Sequence, residues 1–321
     1  MKILVLDYRD TISENNIYKY YGDIFRELNN LCELVVVNTS RFYSSVNEII
    51  GSHNNIDCIL FSLGYFTQAD KRAYQKIDGL DKVDIPVVCM VHKLQTLRKN
   101  KIEFCKINKV DLVIDSHSTY KNFREVGIRS LRLPFSATPR FFYPRNVEKK
   151  YDLGFCGALH DNGKIKGAAQ DIRSRIYSIL TKSDFNIYWR GQNVPGDRIA
   201  SIEEYASNIN KSKIWISTTG PIDDMGPRYF EVALSKTLLF CNKMPETYEK
   251  YFEDGVNCIT FKNDLSDFEE KLNYYLTNSD EREEIANKAF SLAINNYTWK
   301  HMAIKLLKEV EIESRKRYNY T

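Results

Sequence analysis

Several signatures that assign an enzyme class directly are absent from this sequence of 321 residues. There is no Gly-x-Gly-x-x-Gly fingerprint, no Gly-x-x-x-x-Gly-Lys-Ser/Thr loop and no Gly-x-Ser-x-Gly elbow, which disfavours a dinucleotide dehydrogenase, a P-loop enzyme and a serine hydrolase. The sequence also lacks a His-x-x-x-His pair, the motif that would indicate a metal site. We therefore predict no metal and no resident cofactor, and the function has to be inferred from the loops that follow the strands.

Paired cysteines and long apolar runs are also absent. The seven cysteines are spread along the chain without a Cys-x-x-Cys motif, a pattern typical of free thiols in a reducing compartment. No apolar run reaches about 18 residues, the length of a membrane span, and the apolar start before Asp7 is too short for a signal peptide. These features predict a cytoplasmic protein without a transmembrane segment.

The charge excess is small. A formal net charge of +4 and a pI near 8.5 give no evidence for a nucleic-acid partner or a membrane surface, although they suit an anionic substrate. They do not indicate an oligomeric state.

Strand-like runs alternate with helical stretches in both halves of the chain, which predicts an α/β protein with two parallel sheets. The predicted strands are Lys2–Leu6, Cys32–Val37, Cys58–Ser62, Pro86–Val91, Asp111–Ile114, Ser130–Leu133, Tyr151–Cys156, Asn186–Trp189, Lys213–Ser217, Thr237–Cys241 and Cys258–Phe261. Prolines at 134, 139 and 144 separate the two series. We predict a Rossmann-like lobe over residues 1–133, a linker over 134–150, and a second Rossmann-like lobe with C-terminal helices over 151–321.

Two such lobes facing a central cleft would hold one substrate each, because open parallel sheets bind ligands beyond the carboxyl ends of their strands. This arrangement favours a transferase with two substrates. A periplasmic binding protein shares the architecture, but the missing signal peptide argues against it.

The segment Gly220–Ala233 is the most informative part of the chain, because it joins a strand to a helix whose N-terminus would favour phosphate. The guanidinium of Arg228 could bind a phosphate group, and Glu231 could accept a hydrogen bond from a ribose hydroxyl. Tyr229 lies beside Arg228 in the sequence. An ordinary capped helix with a surface Arg–Glu pair is the alternative interpretation.

Another phosphate contact is predicted where Gly157 follows the first strand of the second lobe, because a glycine lets phosphate approach the backbone closely. Cations downstream could neutralise the phosphate, although a solvated basic loop is equally compatible with them. These cations are Lys164, Lys166, Arg173 and Arg175.

Three further strand ends carry candidate ligand contacts. Arg190 and Gly191 follow Trp189 and could contact a base or a diphosphate. The alternative interpretation is a core tryptophan followed by a turn glycine. Thr219 ends a neighbouring strand at the same edge. In the first lobe His92 follows a strand and could hydrogen-bond a sugar hydroxyl, or have no role.

The Asp223-Asp224 pair could hold a metal-bound sugar nucleotide. Because Arg228 lies close by in the sequence, neutralisation of phosphate by protein cations is the better interpretation.

An ordered series of motifs in the second half resembles the CgeB-like (spore maturation protein type) glycosyltransferases, which have the GT-B fold and are similar to glycosyltransferase family 4. The resemblance covers about residues 86–310. It is carried by Tyr205–Ile214, Arg228–Ala233, Phe252–Gly255, Tyr274–Leu276, Glu281–Ala286 and Tyr297–Trp299.

The resemblance assigns roles to individual residues. His92 matches the family 4 histidine of the first lobe, and Glu231 matches the glutamate that binds the nucleotide ribose. Asp223 stands where the family has its other donor-site glutamate. Ala158 and a displaced Lys164, or Lys166 followed by Gly167, replace the cations that bind the diphosphate, so we expect Arg228 and Arg175 to compensate.

The resemblance implies metal-independent transfer, with retention, from a nucleotide-diphosphate sugar to a glycan, lipid-linked or protein acceptor. UDP- or GDP-linked donors are expected. A sugar-nucleotide epimerase and a non-catalytic binding partner in a glycan assembly complex are the alternatives. The predicted catalytic groups are His92, Asp223, Arg228 and Glu231, and the predicted donor contacts are Gly157, Lys164, Arg175, Arg190, Gly191, Thr219, Tyr229 and Glu231.

Overall fold

The computed structural model describes residues 1–7, 19–38, 42–51, 53–67, 71–91, 94, 96–116, 121–157, 159, 168–191, 201–220 and 224–318. The chain divides into two compact units. The first comprises Met1–Pro134 together with Trp299–Thr321, and the second comprises Phe135–Thr298.

Eleven strands lie in the described residues, and all pair in parallel. They are β1 (Lys2–Asp7), β2 (Glu33–Asn38), β3 (Cys58–Phe61), β4 (Val87–Val91), β5 (Leu112–Asp115), β6 (Ser130–Arg132), β7 (Tyr151–Cys156), β8 (Ile187–Arg190), β9 (Ser212–Ser217), β10 (Leu238–Asn242) and β11 (Ile259–Phe261).

Ten α-helices lie in the same residues. They are α1 (Lys19–Asn29), α2 (Val46–Ile50), α3 (Arg98–Ile107), α4 (Lys121–Arg124), α5 (Ala168–Leu180), α6 (Ile202–Asn210), α7 (Arg228–Leu234), α8 (Phe268–Thr277), α9 (Ser279–Asn296) and α10 (Trp299–Tyr318).

The first unit contains a six-stranded sheet in the order β2-β1-β3-β4-β5-β6. Strands β3, β4 and β5 are buried along their whole length, as expected where helices cover both faces of a parallel sheet. Helix α10 packs against α1 in this unit. Arg129 forms ion pairs with Glu309 and Glu313 of α10, so the last helix is also joined to the end of the sheet.

The second unit contains a five-stranded sheet in the order β11-β10-β9-β7-β8. On the neighbouring strands β7 and β9, the fully buried ring of Trp215 lies against its register partner Gly154. A Cβ atom at Gly154 would lie 2.2 Å from that ring, so only glycine fits there without rearrangement.

The predicted fold class is confirmed, and each predicted strand has an observed counterpart whose ends differ by at most one or two residues. The predicted domain boundaries differ from the structure in two places. Trp299–Thr321 was assigned to the second lobe but forms part of the first unit. The segment 134–150 was interpreted as a linker, yet Phe135 and Phe142 are almost fully buried, and from Phe135 onward the chain belongs to the second unit.

All seven cysteines are free, and five of them are buried, in agreement with the interpretation of the cysteine pattern. Within the described residues, no helix combines the length and the apolar character that a membrane span needs.

Candidate functional site

The strand order of the second sheet locates a crevice. From β7 the chain goes to β8 on one side, and then returns to β9 on the other side of β7. The strand order therefore reverses between β7 and β9. Such a switch point leaves a crevice at the carboxyl ends of the two strands, where open α/β sheets bind their ligands. Gly157 and Thr218 are the residues that follow these two strands.

Arg173 of α5 extends to this switch point. Its Nε donates a 2.7 Å hydrogen bond to Oγ1 of Thr218, and a Cβ atom on Gly157 would lie 3.6 Å from its Nη1. Burial, and after it the charge of Arg228, lowers the pKa of Arg173 to about 10. Two guanidinium groups are therefore close enough to repel one another, an arrangement that a bound anion would stabilise.

Gly157 is held at the crevice by the neighbouring strand. Its N–H donates to the carbonyl oxygen of Arg190 over 2.9 Å. A Cβ atom at this position would lie 2.9 Å from the ring of Phe155, so a side chain would force the ring to move. The predicted close approach at Gly157 agrees with this geometry, although binding of phosphate there stays a prediction.

Arg228 and Glu231 lie in the first turn of α7 and face Tyr205 of α6. The hydroxyl of Tyr205 donates a 2.9 Å hydrogen bond to Oε2 of Glu231. Helix α6 begins at a Ser201 cap, whose Oγ accepts from the N–H of Glu204, and this cap fixes the start of the helix that carries Tyr205.

The electrostatics of this pair are unusual. Burial raises the pKa of Glu231 to about 7, although Arg228 and the Tyr205 hydrogen bond both lower it. Burial lowers the pKa of Arg228, but the facing Tyr205, Cys156 and Glu231 outweigh burial, so that the pKa is raised overall. Arg228 therefore remains a cation, while Glu231 can change its protonation near neutral pH.

Two hydrogen-bond donors on α7 are buried and have no partner among the described residues. They are Nε of Arg228 and the hydroxyl of Tyr229. Tyr229 itself is 1% exposed, and its pKa is raised by burial, against the charges of Arg173 and Arg228, which lower it. Buried donors without a partner are costly in a folded protein, and a ligand that accepts hydrogen bonds would remove that cost.

The other described candidates have local partners. Arg190 donates from Nη1 to the carbonyl of Trp189 and stacks over Tyr188 at 5.0 Å, and Gly191 follows it at the end of β8. Thr219 is fully buried. Its N–H and Oγ1 are both hydrogen-bonded to Asn242 on β10, so the structure gives Thr219 a role in joining the ends of neighbouring strands.

Arg175 does not join the cluster. It is exposed and donates to the carbonyl oxygens of Asn263 and Asp264. The expectation that Arg175 compensates for the missing diphosphate cations is therefore not supported by its position. Arg173, one of the four cations considered from the sequence, lies at the switch point instead.

Three predicted residues, His92, Lys164 and Asp223, lie outside the described residues. Their neighbour Asp224 is described and is buried, and its Oδ1 accepts a 2.6 Å hydrogen bond from the hydroxyl of Tyr248. Across the described part of the chain, no three His, Cys, Asp or Glu side chains are grouped as they would be around a metal ion.

Sequence reasoning missed Tyr205 as part of the site. Tyr205 is the first residue of the motif Tyr205–Ile214. The signal was the location of Tyr205 on the helix directly before β9, but an aromatic residue on an amphipathic helix is most often a core residue, and Tyr205 does pack against Trp215.

Comparisons with known proteins give an independent view of the chain. A family model described as "Glycosyl transferase-like" matches residues 163–308, a range that contains Arg173, Tyr205, Arg228 and Glu231. No curated protein matches the chain.

Among solved structures, HepE from Anabaena in complex with UDP-glucose superimposes with a TM-score of 0.65 and 12% identity, covering 97% of this chain and 99% of that one. Sucrose-phosphate synthase from Thermosynechococcus elongatus superimposes with a TM-score of 0.63 and 8% identity, covering 100% of both chains. A glycosyltransferase from Rickettsia africae gives a TM-score of 0.62 and 12% identity, covering 98% of both.

The chain has a GT-B fold, and residues 163–308 match a glycosyl transferase-like family model. At these identities the solved structures are evidence for the fold alone. The narrower resemblance to CgeB-like and family 4 enzymes stays a prediction. In this GT-B chain the switch point of the second unit is the candidate site.

Proposed function

We propose that this protein is a glycosyltransferase that binds a nucleotide-diphosphate sugar at the switch point of its second unit. The observation that carries the proposal is the position of Arg173, which donates to Thr218 at this point and interacts electrostatically with Arg228, three residues before the buried Glu231 carboxylate that accepts from Tyr205. A diphosphate would offset the repulsion between the two arginines, and the carboxylate suits a sugar or ribose hydroxyl.

Supporting observations come from the comparisons. The glycosyl transferase-like match spans these three residues, and the fold is that of HepE, which has been crystallised with UDP-glucose. By analogy we propose a UDP- or GDP-linked sugar as the donor, without a resident cofactor. We also propose membership of the CgeB-like group, with a glycan, lipid-linked or protein acceptor.

The reaction we propose breaks the bond between the anomeric carbon of the sugar and the diphosphate oxygen, and forms a bond from that carbon to an acceptor hydroxyl. Arg173 and Arg228 would stabilise the negative charge that develops on the departing diphosphate. Glu231 would orient the nucleotide through its ribose. In the retaining reaction that we favour, the proton of the acceptor hydroxyl passes to the leaving diphosphate, and no protein nucleophile is needed.

Thermal unfolding in the presence of UDP, GDP, ADP or dTDP tests the donor site directly. A ligand at 100 times its Kd raises the free energy of unfolding by about 2.7 kcal/mol, so we expect a clear rise in Tm with one of the four. Product analysis with the matching nucleotide sugar then distinguishes transfer from epimerisation, because an epimerase returns an isomeric nucleotide sugar without an acceptor.

Glu231→Gln is the matched test of the carboxylate, with Glu281→Gln as its control. Glu281 also accepts a tyrosine hydroxyl, at 2.8 Å from Tyr274, but on an exposed surface. We expect Glu231→Gln to weaken nucleotide binding by about 1.5–3 kcal/mol, and Glu281→Gln to leave it unchanged. If no nucleoside diphosphate stabilises the wild-type protein, or if both variants bind like wild type, the proposed donor site is wrong.

A further inference from the structure

The phenol ring of Tyr205 is held on two sides. It packs edge-to-face against Phe142 with ring centroids 5.8 Å apart, and against Trp215 at 5.7 Å. Trp215 is fully buried and Phe142 is 1% exposed, so neither ring can move without disturbing the core of the second unit. Because the ring is fixed, the direction of the Tyr205 hydroxyl towards Glu231 is fixed as well.

That hydroxyl occupies one oxygen of a buried carboxylate. Tyr205 donates to Oε2 of Glu231 over 2.9 Å, and among the described residues Oε1 accepts no hydrogen bond. A carboxylate rotates easily about its last side-chain bond unless one oxygen is held. The hydrogen bond from Tyr205 therefore makes Oε1 the oxygen that remains available to a ligand.

We propose that Tyr205 is a positioning residue of the donor site, which holds the Glu231 carboxylate so that Oε1 accepts a hydroxyl of the bound nucleotide sugar. Tyr205 does not itself touch the donor. This inference rests on the proposed function, because it assigns a purpose to the buried carboxylate of that site.

The groups around Glu231 make the effect measurable as a change in pH dependence. The carboxylate faces Arg228 on α7 and Tyr205 on α6, and Cys156 at the end of β7 interacts with it. Arg173 on α5 acts on Arg228 and Cys156. Arg228 and Tyr205 both lower the pKa of Glu231. The contribution of Tyr205 can be removed by deleting one oxygen atom, in Tyr205→Phe, whereas that of Arg228 cannot.

A matched control exists on the surface of the same unit. Tyr274 donates to Oε2 of Glu281 over 2.8 Å, but both residues are exposed. Tyr274→Phe therefore removes the same kind of bond as Tyr205→Phe, in a place where water replaces it at little cost.

The experiment compares Tyr205→Phe, Tyr274→Phe, Glu231→Gln and the double variant Y205F/E231Q by calorimetric titration with UDP and GDP between pH 6 and pH 8.5. We expect Y205F to weaken binding about tenfold, which is about 1.4 kcal/mol, and to move the pH midpoint upward. Y274F should change neither. Because Tyr205 acts through Glu231, the double variant should bind no more weakly than E231Q alone.

Several outcomes would overturn the inference. The first is a Y205F variant whose nucleotide affinity and pH midpoint equal those of the wild type. The second is a double variant in which the affinity losses of Y205F and E231Q add, as they would if Tyr205 had a purely structural role. If Y205F fails to fold, 3-fluorotyrosine can replace Tyr205, because it keeps the ring and makes the hydroxyl a stronger hydrogen-bond donor. An unchanged pH midpoint in that variant overturns the inference. Absence of UDP or GDP binding to the wild type would overturn the proposed function itself, whereas wild-type binding with an unaffected Y205F overturns this inference alone.

Discussion

The two sheets have the same kind of switch point but place different side chains there. In the first unit the strand order reverses between β1 and β3, and Asp7 at the end of β1 accepts a hydrogen bond from Ser62, the residue after β3. In the second unit Cys156 ends β7, Thr218 follows β9, and Arg173 donates a hydrogen bond to Thr218. The same strand order around the switch point thus gives an acidic, locally hydrogen-bonded crevice in one unit and a cationic one in the other.

This difference teaches that topology supplies a crevice and that side chains decide what it binds. Asp7 is 2% exposed and Ser62 is fully buried, and Oγ of Ser62 also accepts from the N–H of Gly64. An anion there would meet a buried carboxylate. In the second unit it would meet arginines, so we assign the diphosphate to the second unit only.

The largest expected effect is at Arg228. Arg228→Ala should weaken nucleoside diphosphate binding about 100-fold, or about 2.7 kcal/mol, and Arg228→Lys nearly as much, because a point charge does not reproduce the planar guanidinium. Calorimetric titration measures both. A lysine variant that binds like wild type would contradict a bidentate phosphate contact, and an unfolded alanine variant would make Arg228 a structural residue.

Arg173→Ala and Arg175→Ala form a matched pair two residues apart on α5. We expect a loss of about 30-fold in affinity for Arg173→Ala, about 2 kcal/mol, and almost none for Arg175→Ala, which breaks exposed bonds to backbone carbonyls of Asn263 and Asp264. The reverse ranking would restore the assignment of Arg175 made from the sequence.

The pKa of Glu231 near 7 predicts a pH dependence confined to the second unit. If the ionised carboxylate accepts the ribose hydroxyl, affinity should fall about tenfold from pH 8 to pH 6 as Glu231 is protonated. Glu231→Gln should remove this change, which separates it from titration of the diphosphate itself. A slope that persists in the variant would assign the titration to another group.

The contribution of Glu231 to the stability of the ligand-free protein should fall as the pH rises, whereas nucleotide affinity should rise. The folded carboxyl of Glu231 keeps its proton to a higher pH than the unfolded one. The contribution of Glu231 to the free energy of unfolding is therefore largest on the acid side and decreases as the pH rises from about 4.5 to about 7. Denaturant titration of the wild type and of Glu231→Gln should show this difference.

A change in the first unit should have a smaller effect on nucleotide affinity. Ser62→Ala removes the donor to the buried carboxylate of Asp7 and should lower the free energy of unfolding by about 1–3 kcal/mol. Nucleotide affinity should stay within twofold of wild type, as measured by titration after folding is confirmed. A large loss of affinity would mean that the first crevice also contacts the nucleotide.

The smallest expected effect is that of chelation. Because the diphosphate is assigned to protein cations, we expect sugar transfer to be unchanged after EDTA treatment. Activity lost in EDTA and restored by manganese would contradict this and would make Asp223 and Asp224 a metal site.

Much of the fold follows from the sequence because fully buried parallel strands are short apolar runs with clear ends, such as Cys58–Phe61 and Leu238–Asn242. Arg228 and Glu231 could be predicted because they lie at the start of the helix that follows β9. The sequence could not decide which arginine of α5 extends to the switch point. Arg173 and Arg175 are two positions apart and therefore point about 200° apart around the helix, and the sequence before α5 does not fix where its turns begin. Tyr205 was missed because its role depends on an aromatic packing that no local pattern describes.

The return of α10 to the first unit has a consequence for synthesis. The second unit is continuous, from Phe135 to Thr298, whereas the first is built from two stretches on either side of it. During translation the first sheet emerges early but lacks its last helix until the whole second unit has been made. The second unit can therefore finish folding before the first.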